Sequence, residues 1–266
     1  MNPESNTHQR PKETVGRVGI IGAGRLGTAL AAALRAAGVE VEGPLGRGMR
    51  PRGCHAIVLC VPDSEIEAAA EAMTAAEAMT AAAPFIGHTS GATPLSALTH
   101  TGVERFGLHP LQTFADGAGP EGFRGAGCAI AGSSPEALEL ATSLALCLGM
   151  TPFEIDDAGR AAYHAAASVA SNFLVTLQAA AETIAGGAGL TPEQARALLV
   201  PLLRQTLDNL EELGPEAALT GPVARGDEAT IEAQRAAVEG VADHLLDLFD
   251  ELVHHTRALA SREVAT

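Results

Sequence analysis

Hydrophobic positions follow two different rhythms along this chain. Up to about residue 155, short apolar runs alternate with longer amphipathic stretches; beyond it only the longer kind remains. Residues 18–21 and 55–61 (HAIVLCV) are short runs that are apolar on every position or nearly so, and residues 39–45 between them read as a further strand. Strands buried on both faces of a parallel sheet read this way. Residues 84–88, 105–108 and 128–131, with a shorter run near Phe153, repeat the pattern. Between them, residues 28–38 (TALAAALRAAG), 64–82 and 135–148 carry helical spacing, and the first stops at Gly38. The alternation predicts an α/β fold: a Rossmann-type, doubly wound parallel sheet over residues 15–155. Residues 158–185, 192–213 and 228–260 read as three long helices. An all-α domain is therefore expected over residues 156–266, with a cleft between the halves.

Two stretches depart from these rhythms. Residues 1–14 (MNPESNTHQRPKET) are polar, hold two prolines and lack an apolar signal core, so they read as a disordered tail. EAMTAA at 71–76 recurs at 77–82. That period matches no helical-repeat architecture and reads as a local duplication that lengthened one helix. Between the second and third strands there is also little room for the usual intervening helix, which predicts an unusually built or open adenine side.

Composition narrows the function classes. Hydrophobic residues make up 47% of the 266, enough for a substantial core. The formal net charge of -15, from 17 Lys and Arg against 32 Asp and Glu, speaks against a nucleic-acid partner. An anionic small molecule needs only a local basic patch. No apolar run reaches the ~20 residues of a membrane span. Cys54, Cys60, Cys128 and Cys147 show no CxxC pair and no metal-ligand spacing. They read as free thiols in a reducing cytoplasm, with no metal site.

GAGRLG, residues 22–27, supplies the first chemistry. It is a GxGxxG placed between a strand and a helix, the context in which that pattern holds a dinucleotide. Gly22 permits the tight turn, Gly24 the approach of a pyrophosphate, and Gly27 close helix–strand packing. Ala23, Arg25 and Leu26 complete the loop, and the helix N-terminus favours phosphate charge. Glu42 stands 20 residues after Gly22, near the spacing of an acid that binds a ribose 2′-hydroxyl. Yet it falls inside the strand, and GRGMRPRG follows with Arg47, Arg50 and Arg52. An arginine at that strand end, Arg47 first, accommodates a 2′-phosphate, so NADP is expected and NAD stays open. Val61, Pro62 and Ser90, near other strand ends, join the candidate cofactor set; an ordinary turn is an equal reading for Ser90.

YHAAASVASN, residues 163–172, supplies the second. His164, Ser168 and Asn172 recur at steps of four, so on a continuous helix they share one stripe about 80° wide. A core face is apolar, and a solvent face carries more Lys or Glu. The stripe suits a site: His164 as proton donor, Ser168 and Asn172 as orienting groups. His109, in GLHP after another strand, is the rival donor. Arg225, in the loop GPVARGD, suits a substrate carboxylate, with Asp227 steering it; an Arg–Asp pair pinning the loop is the alternative. His254 and His255 read as exposed helix positions.

GAGRLG, CVPDSEI, GHTSGA, GLHPLQTF, YHAAASVASN and ALTGPVARGD occur in order over nearly the whole chain. Together they resemble Rossmann-like NAD(P)-binding proteins whose helical C-terminal half is a domain of unknown function. The layout is similar to ketopantoate reductase, pyrroline-5-carboxylate reductase, 3-hydroxyisobutyrate dehydrogenase and prephenate dehydrogenase. The resemblance implies NAD(P) binding and reductase chemistry on a small-molecule acid, ketopantoate first among keto and imino acids. It also implies a homodimer through the C-terminal helices. In the 3-hydroxyacid dehydrogenases a catalytic lysine precedes an asparagine by four residues. Asn172 matches the asparagine, but Ser168 stands at the lysine. That departure motivates a rival reading, a non-catalytic NAD(P)-binding redox sensor.

Overall fold

The short apolar runs become strands because every side chain on the central ones finds cover. In the computed structural model, which describes residues 15–74, 84–117 and 119–263, seven strands form one sheet. They are β1 (Val18–Ile21), β2 (Val41–Leu45), β3 (Ala56–Leu59), β4 (Phe85–His88), β5 (Glu104–Leu111), β6 (Gly127–Gly132) and β7 (Thr151–Glu154). Their order is β2-β1-β3-β4-β5-β6-β7. Strands β1, β3 and β4 are buried at all four positions, which is why their sequences do not alternate.

Helices cover both faces, as a doubly wound sheet requires. Along β3 successive side chains point to opposite faces. Ala56 and Val58 join a core with α1 (Arg25–Ala36) and α3 (Pro135–Cys147), while Ile57 and Leu59 join another under α2 (Ile66–Thr74). In α1 the buried Gly27, Leu30, Ala31 and Leu34 recur at the spacing of one helix face. Ser134 caps α3 by accepting from the amide of Ala137, with Pro135 in the first turn. The first copy of EAMTAA begins in α2; its last residues, the second copy and the polar tail lie outside the described residues.

Two features differ from an all-parallel sheet with a full set of crossover helices. Strands β1 to β5 are parallel, but β6 runs antiparallel to β5, and β7 is parallel to β6. Among the described residues between β5 and β6 there is one 3-10 turn and no crossover helix, so β6 lies antiparallel beside β5. The crossover from β2 to β3 likewise has no helix. Its loop lies directly on β1: a Cβ on Gly19 would sit 2.6 Å from Pro51 Cβ and 3.2 Å from Cys54 Sγ. Glu42 pins the loop by accepting from the amide of Arg52 at 3.0 Å and pairing with Arg17 at 3.1 Å.

By its contacts the chain divides into two units, Met1–Ser168 and Val169–Thr266, later than the 155/156 boundary expected from the pattern. The reason is α4 (Arg160–Ala170), whose Arg160, Tyr163 and His164 approach β5 and the loop after β4. The single helix expected over 158–185 is interrupted at Ser171, which has φ -118° and ψ -68°. The second unit then holds α5 (Asn172–Ala185), α6 (Pro192–Ala218), α7 (Pro222–Arg225), α8 (Glu228–Ala242) and α9 (Leu246–Glu263). Thr191 and Gln194 form a capping box on α6, and Gly214 kinks it at φ 77°. Glu182 of α5 is buried and gripped by Arg196 of α6 through two bonds of 2.9 and 2.7 Å. No helix among the described residues is long and apolar enough to cross a membrane.

Candidate functional site

The strand order reverses around β1, whose neighbours β2 and β3 lie on opposite sides. Ligands of open α/β sheets bind outside the carboxyl ends of the strands at such a point. Residues 22–27 occupy it. Gly22 takes φ 108°, and a Cβ there would collide with the Cys60 carbonyl oxygen. A Cβ on Gly27 would collide with the Gly22 carbonyl oxygen, so glycine alone lets α1 start this close to the loop. Gly24 is different: a Cβ there would meet nothing within 4 Å. The space above it is open. No side chain caps α1, and its first turn holds no acid. Its N-terminal amides are therefore arranged for an anion, which fits a dinucleotide's pyrophosphate.

A pocket of about 450 Å³ opens beside this loop. Gly22, Ala23, Gly24, Arg47, Val61 and Pro62 line it. Arg25 is exposed, with Asp116 3.7 Å away, and Leu26 packs towards the core. Met49 and, from α2, Ala68, Ala69, Ala72 and Met73 also line the pocket. The helix-less crossover thus supplies Met49 and Arg47 where a helical connection would have stood. Arg47 stands two residues past the end of β2, whereas Glu42 is held mid-strand by Arg17 and the crossover loop.

A second cluster lies at the carboxyl end of β4 and β5. Gly107 and His109 are two apart on β5 and share a face. Arg160, Tyr163 and His164, at helical spacings of three and four, share a face of α4. The two faces meet. His109 Nδ1 lies 2.7 Å from the Tyr163 hydroxyl, and the His109 and His164 rings are 6.2 Å apart. A Cβ on Gly91 would be 2.9 Å from both His109 Nε2 and His164 Cδ2, so only glycine lets this loop close over the imidazoles. In the tautomer in which Tyr163 donates to Nδ1, the imidazole proton sits on Nε2, the nitrogen beside Gly91.

Burial first, and neighbouring charge second, set the protonation of this cluster. Burial, then His164 and Arg160, push His109 down to about 4. Burial, then Arg160, push His88 down to about 4 as well. Burial pushes the Tyr163 hydroxyl up to about 12. Near neutral pH both imidazoles are neutral and the phenol keeps its proton. Arg160 is only 2% exposed, donates to Asp157 at 3.0 Å, and leaves Nη2 without a hydrogen-bond partner among the described residues. Asp157 in turn accepts from the amides of Leu95 at 2.9 Å and Ser96 at 3.3 Å, tying the loop after β4 to the start of α4. The sequence pattern does not single out Tyr163, Arg160 or Asp157. A signal existed: one turn back from His164 the polar stripe reaches Arg160.

Other expected residues stand elsewhere. Ser90 is a turn residue, its hydroxyl accepting from the amides of Ala92 and Thr93 and bonding to Thr93 Oγ1. Ser168 is half-buried on α4, whereas Asn172 opens α5 and is exposed, so the break at Ser171 interrupts the expected stripe. Arg225 is exposed at the end of α7. Asp227 is the N-cap of α8: it accepts from the Thr230 amide at 3.2 Å and the Thr230 hydroxyl at 2.7 Å. The Thr230 bonds, and to a lesser extent the Arg225 guanidinium, hold its carboxyl below the usual range. His254 and His255 are exposed, as expected. Among the described residues, no group of three His, Cys, Asp or Glu is placed to hold a metal ion.

Residues 126–256 match the family described as a domain of unknown function, DUF2520. That segment runs from the start of β6 into α9. Solved structures establish the fold over the greater part of the chain. A Bacteroides fragilis protein provisionally described as an NADP oxidoreductase is 22% identical, with a TM-score of 0.78 over 92% of this chain and 99% of its own. A Thermotoga maritima protein is 23% identical, with a TM-score of 0.71 over the same shares. Pyrroline carboxylate reductase of Plasmodium falciparum, solved with NADP bound, is 11% identical, with a TM-score of 0.57 over 94% of this chain and 99% of its own. No curated protein sequence matches the chain.

Proposed function

We propose that this protein is an NADP-preferring oxidoreductase that reduces a small keto or imino acid. The observation that carries the reading is the glycine loop at the sheet's switch point, open above Gly24 and flanked by Arg47 at the end of β2. The helix N-terminus suits a pyrophosphate, the apolar walls at Met49 and α2 suit an adenine ring, and Arg47 suits a 2′-phosphate. The nicotinamide supplies the hydride when the cofactor is bound. Similarly folded proteins described as pyrroline carboxylate reductase and reductive aminase support placing imines beside ketopantoate and other keto acids in the substrate class.

The chain's own contribution is to hold the substrate's carbonyl or imine group and to deliver a proton as negative charge develops there. Neutral His109, its tautomer set by Tyr163, is the hydrogen-bond donor that polarises the group. His164, the imidazole of the pair not bonded to Tyr163, delivers the proton. Gly91 and the loop after β4 limit water around both rings. We further infer that the protein pairs with a second copy through its second unit, where Phe173, Val175, Leu198 and Leu202 are each more than half exposed.

Steady-state assays with NADPH and a panel of keto and imino acids test the proposal. His109→Gln and His164→Gln should each lower kcat/KM by about a hundredfold, the usual scale of positioned proton transfer. Unchanged kcat/KM in both variants would remove these roles. Tight NADPH binding with no turnover on any acid would favour a redox sensor instead.

A further inference from the structure

Arg47 does not face its pocket alone. It follows β2, and Glu65 follows β3 in the turn Asp63–Glu65; both line the pocket beside the glycine loop. Arg47 Nη2 and Glu65 Oε1 are 2.6 Å apart, so the pair joins two strand ends across the switch point. The arginine is 84% exposed and the glutamate 41%, so both are within reach of a ligand in the pocket. An exposed pair of this kind adds little to stability. Its consequence lies in what it does to a third charge.

We propose that Glu65 sets nucleotide selectivity, as the carboxylate that competes with a nucleotide's 2′-phosphate for Arg47. The inference rests on the cofactor reading above and deepens it. A 2′-phosphate approaching Arg47 meets a guanidinium already bonded to a carboxylate and must share or displace it, against repulsion between like charges. A ribose 2′-hydroxyl meets no such repulsion, and a carboxylate oxygen accepts its hydrogen bond. Arg47 therefore selects for NADPH, and Glu65 holds that selection down, keeping NADH usable.

The test is a fluorescence titration of NADPH and NADH into the full chain and its Glu65→Gln, Arg47→Gln and doubly substituted forms. Glu65→Gln should tighten NADPH about fivefold and leave NADH within about twofold, the scale of one exposed charge interaction. Arg47→Gln should weaken NADPH about tenfold or more, and in that background Glu65→Gln should move NADPH by less than about threefold. Wild-type binding with an NADPH-to-NADH ratio that Glu65→Gln does not change would overturn the inference and leave the cofactor reading standing. Binding of neither nucleotide by any form would overturn both.

Discussion

The two units hide their apolar residues to very different extents. The first holds continuous buried clusters on both faces of its sheet. In the second, the buried apolar residues among those described are Ala195, Ile231, Val238, Ala242 and Val253. Meanwhile Val175 is 71% exposed, and Leu198 and Leu202 are each 63% exposed. Leu198 and Leu202 lie four apart on α6 and form one stripe. The first unit is specified by its own interior. The second carries helices whose apolar faces ask for further cover.

The largest expected effect lies where the first unit is tightest. Gly27→Val would drive a branched side chain into the Gly22 carbonyl and the Cys60 side chain. It should cost about 3 kcal/mol or more, because backbone cannot yield as a flexible side chain does, and nucleotide binding should go with it. Thermal unfolding with and without NADPH would measure both. A melting temperature near wild type would mean that α1 can slide away from the loop, and the close fit would lose its meaning.

A second perturbation strikes the other unit. Leu198→Asp with Leu202→Asp should leave the fold intact, since both side chains already face outward. If a second copy covers this stripe, light scattering should show the paired wild type become a monomer, with pairing weakened by more than about a hundredfold, given that apolar burial contributes roughly 25 cal/mol per Å². A wild type that is already monomeric would break the comparison, because the exposed stripe would then be a property of the single chain.

The same contrast explains what the sequence made legible. The all-buried β1, β3 and β4 announce themselves because no polar position interrupts them. The glycine loop was readable because steric need leaves few alternatives at Gly22 and Gly27. The reversal of β6 was not readable, since it depends on how residues 112–126 fold back and not on the strand's composition. The break at Ser171 was hidden for a related reason: alanine-rich sequence favours helix on either side. The candidate site was legible in its histidines but not in its partners. Tyr163 and Arg160 acquire their roles only when α4 meets β5, a contact between segments about fifty residues apart.

Acid should act on the first unit through that contact. His88 and His109 each fall from 6.5 to about 4 in the folded protein, chiefly through burial. Below 6.5 the unfolded chain takes up protons on these rings that the folded protein refuses, so stability is full above 6.5 and declines as pH falls towards 4. Denaturant unfolding between pH 7 and 4 should show a dependence of roughly two protons, falling to about one in His109→Gln. A profile in His109→Gln identical to wild type would mean that this ring is hydrated and protonates freely.

The smallest expected effect separates a cap from a site. Asp227→Ala should destabilise α8 by about 1 kcal/mol, the usual cost of losing an N-cap carboxylate, and Asp227→Ser should restore most of it. A serine hydroxyl can accept from the Thr230 amide but carries no charge with which to steer a neighbouring arginine. Capping therefore predicts that both variants keep wild-type kcat/KM and that only alanine lowers the unfolding midpoint. Equal losses of kcat/KM in alanine and serine, with the midpoint unmoved, would return Asp227 to the role of steering Arg225.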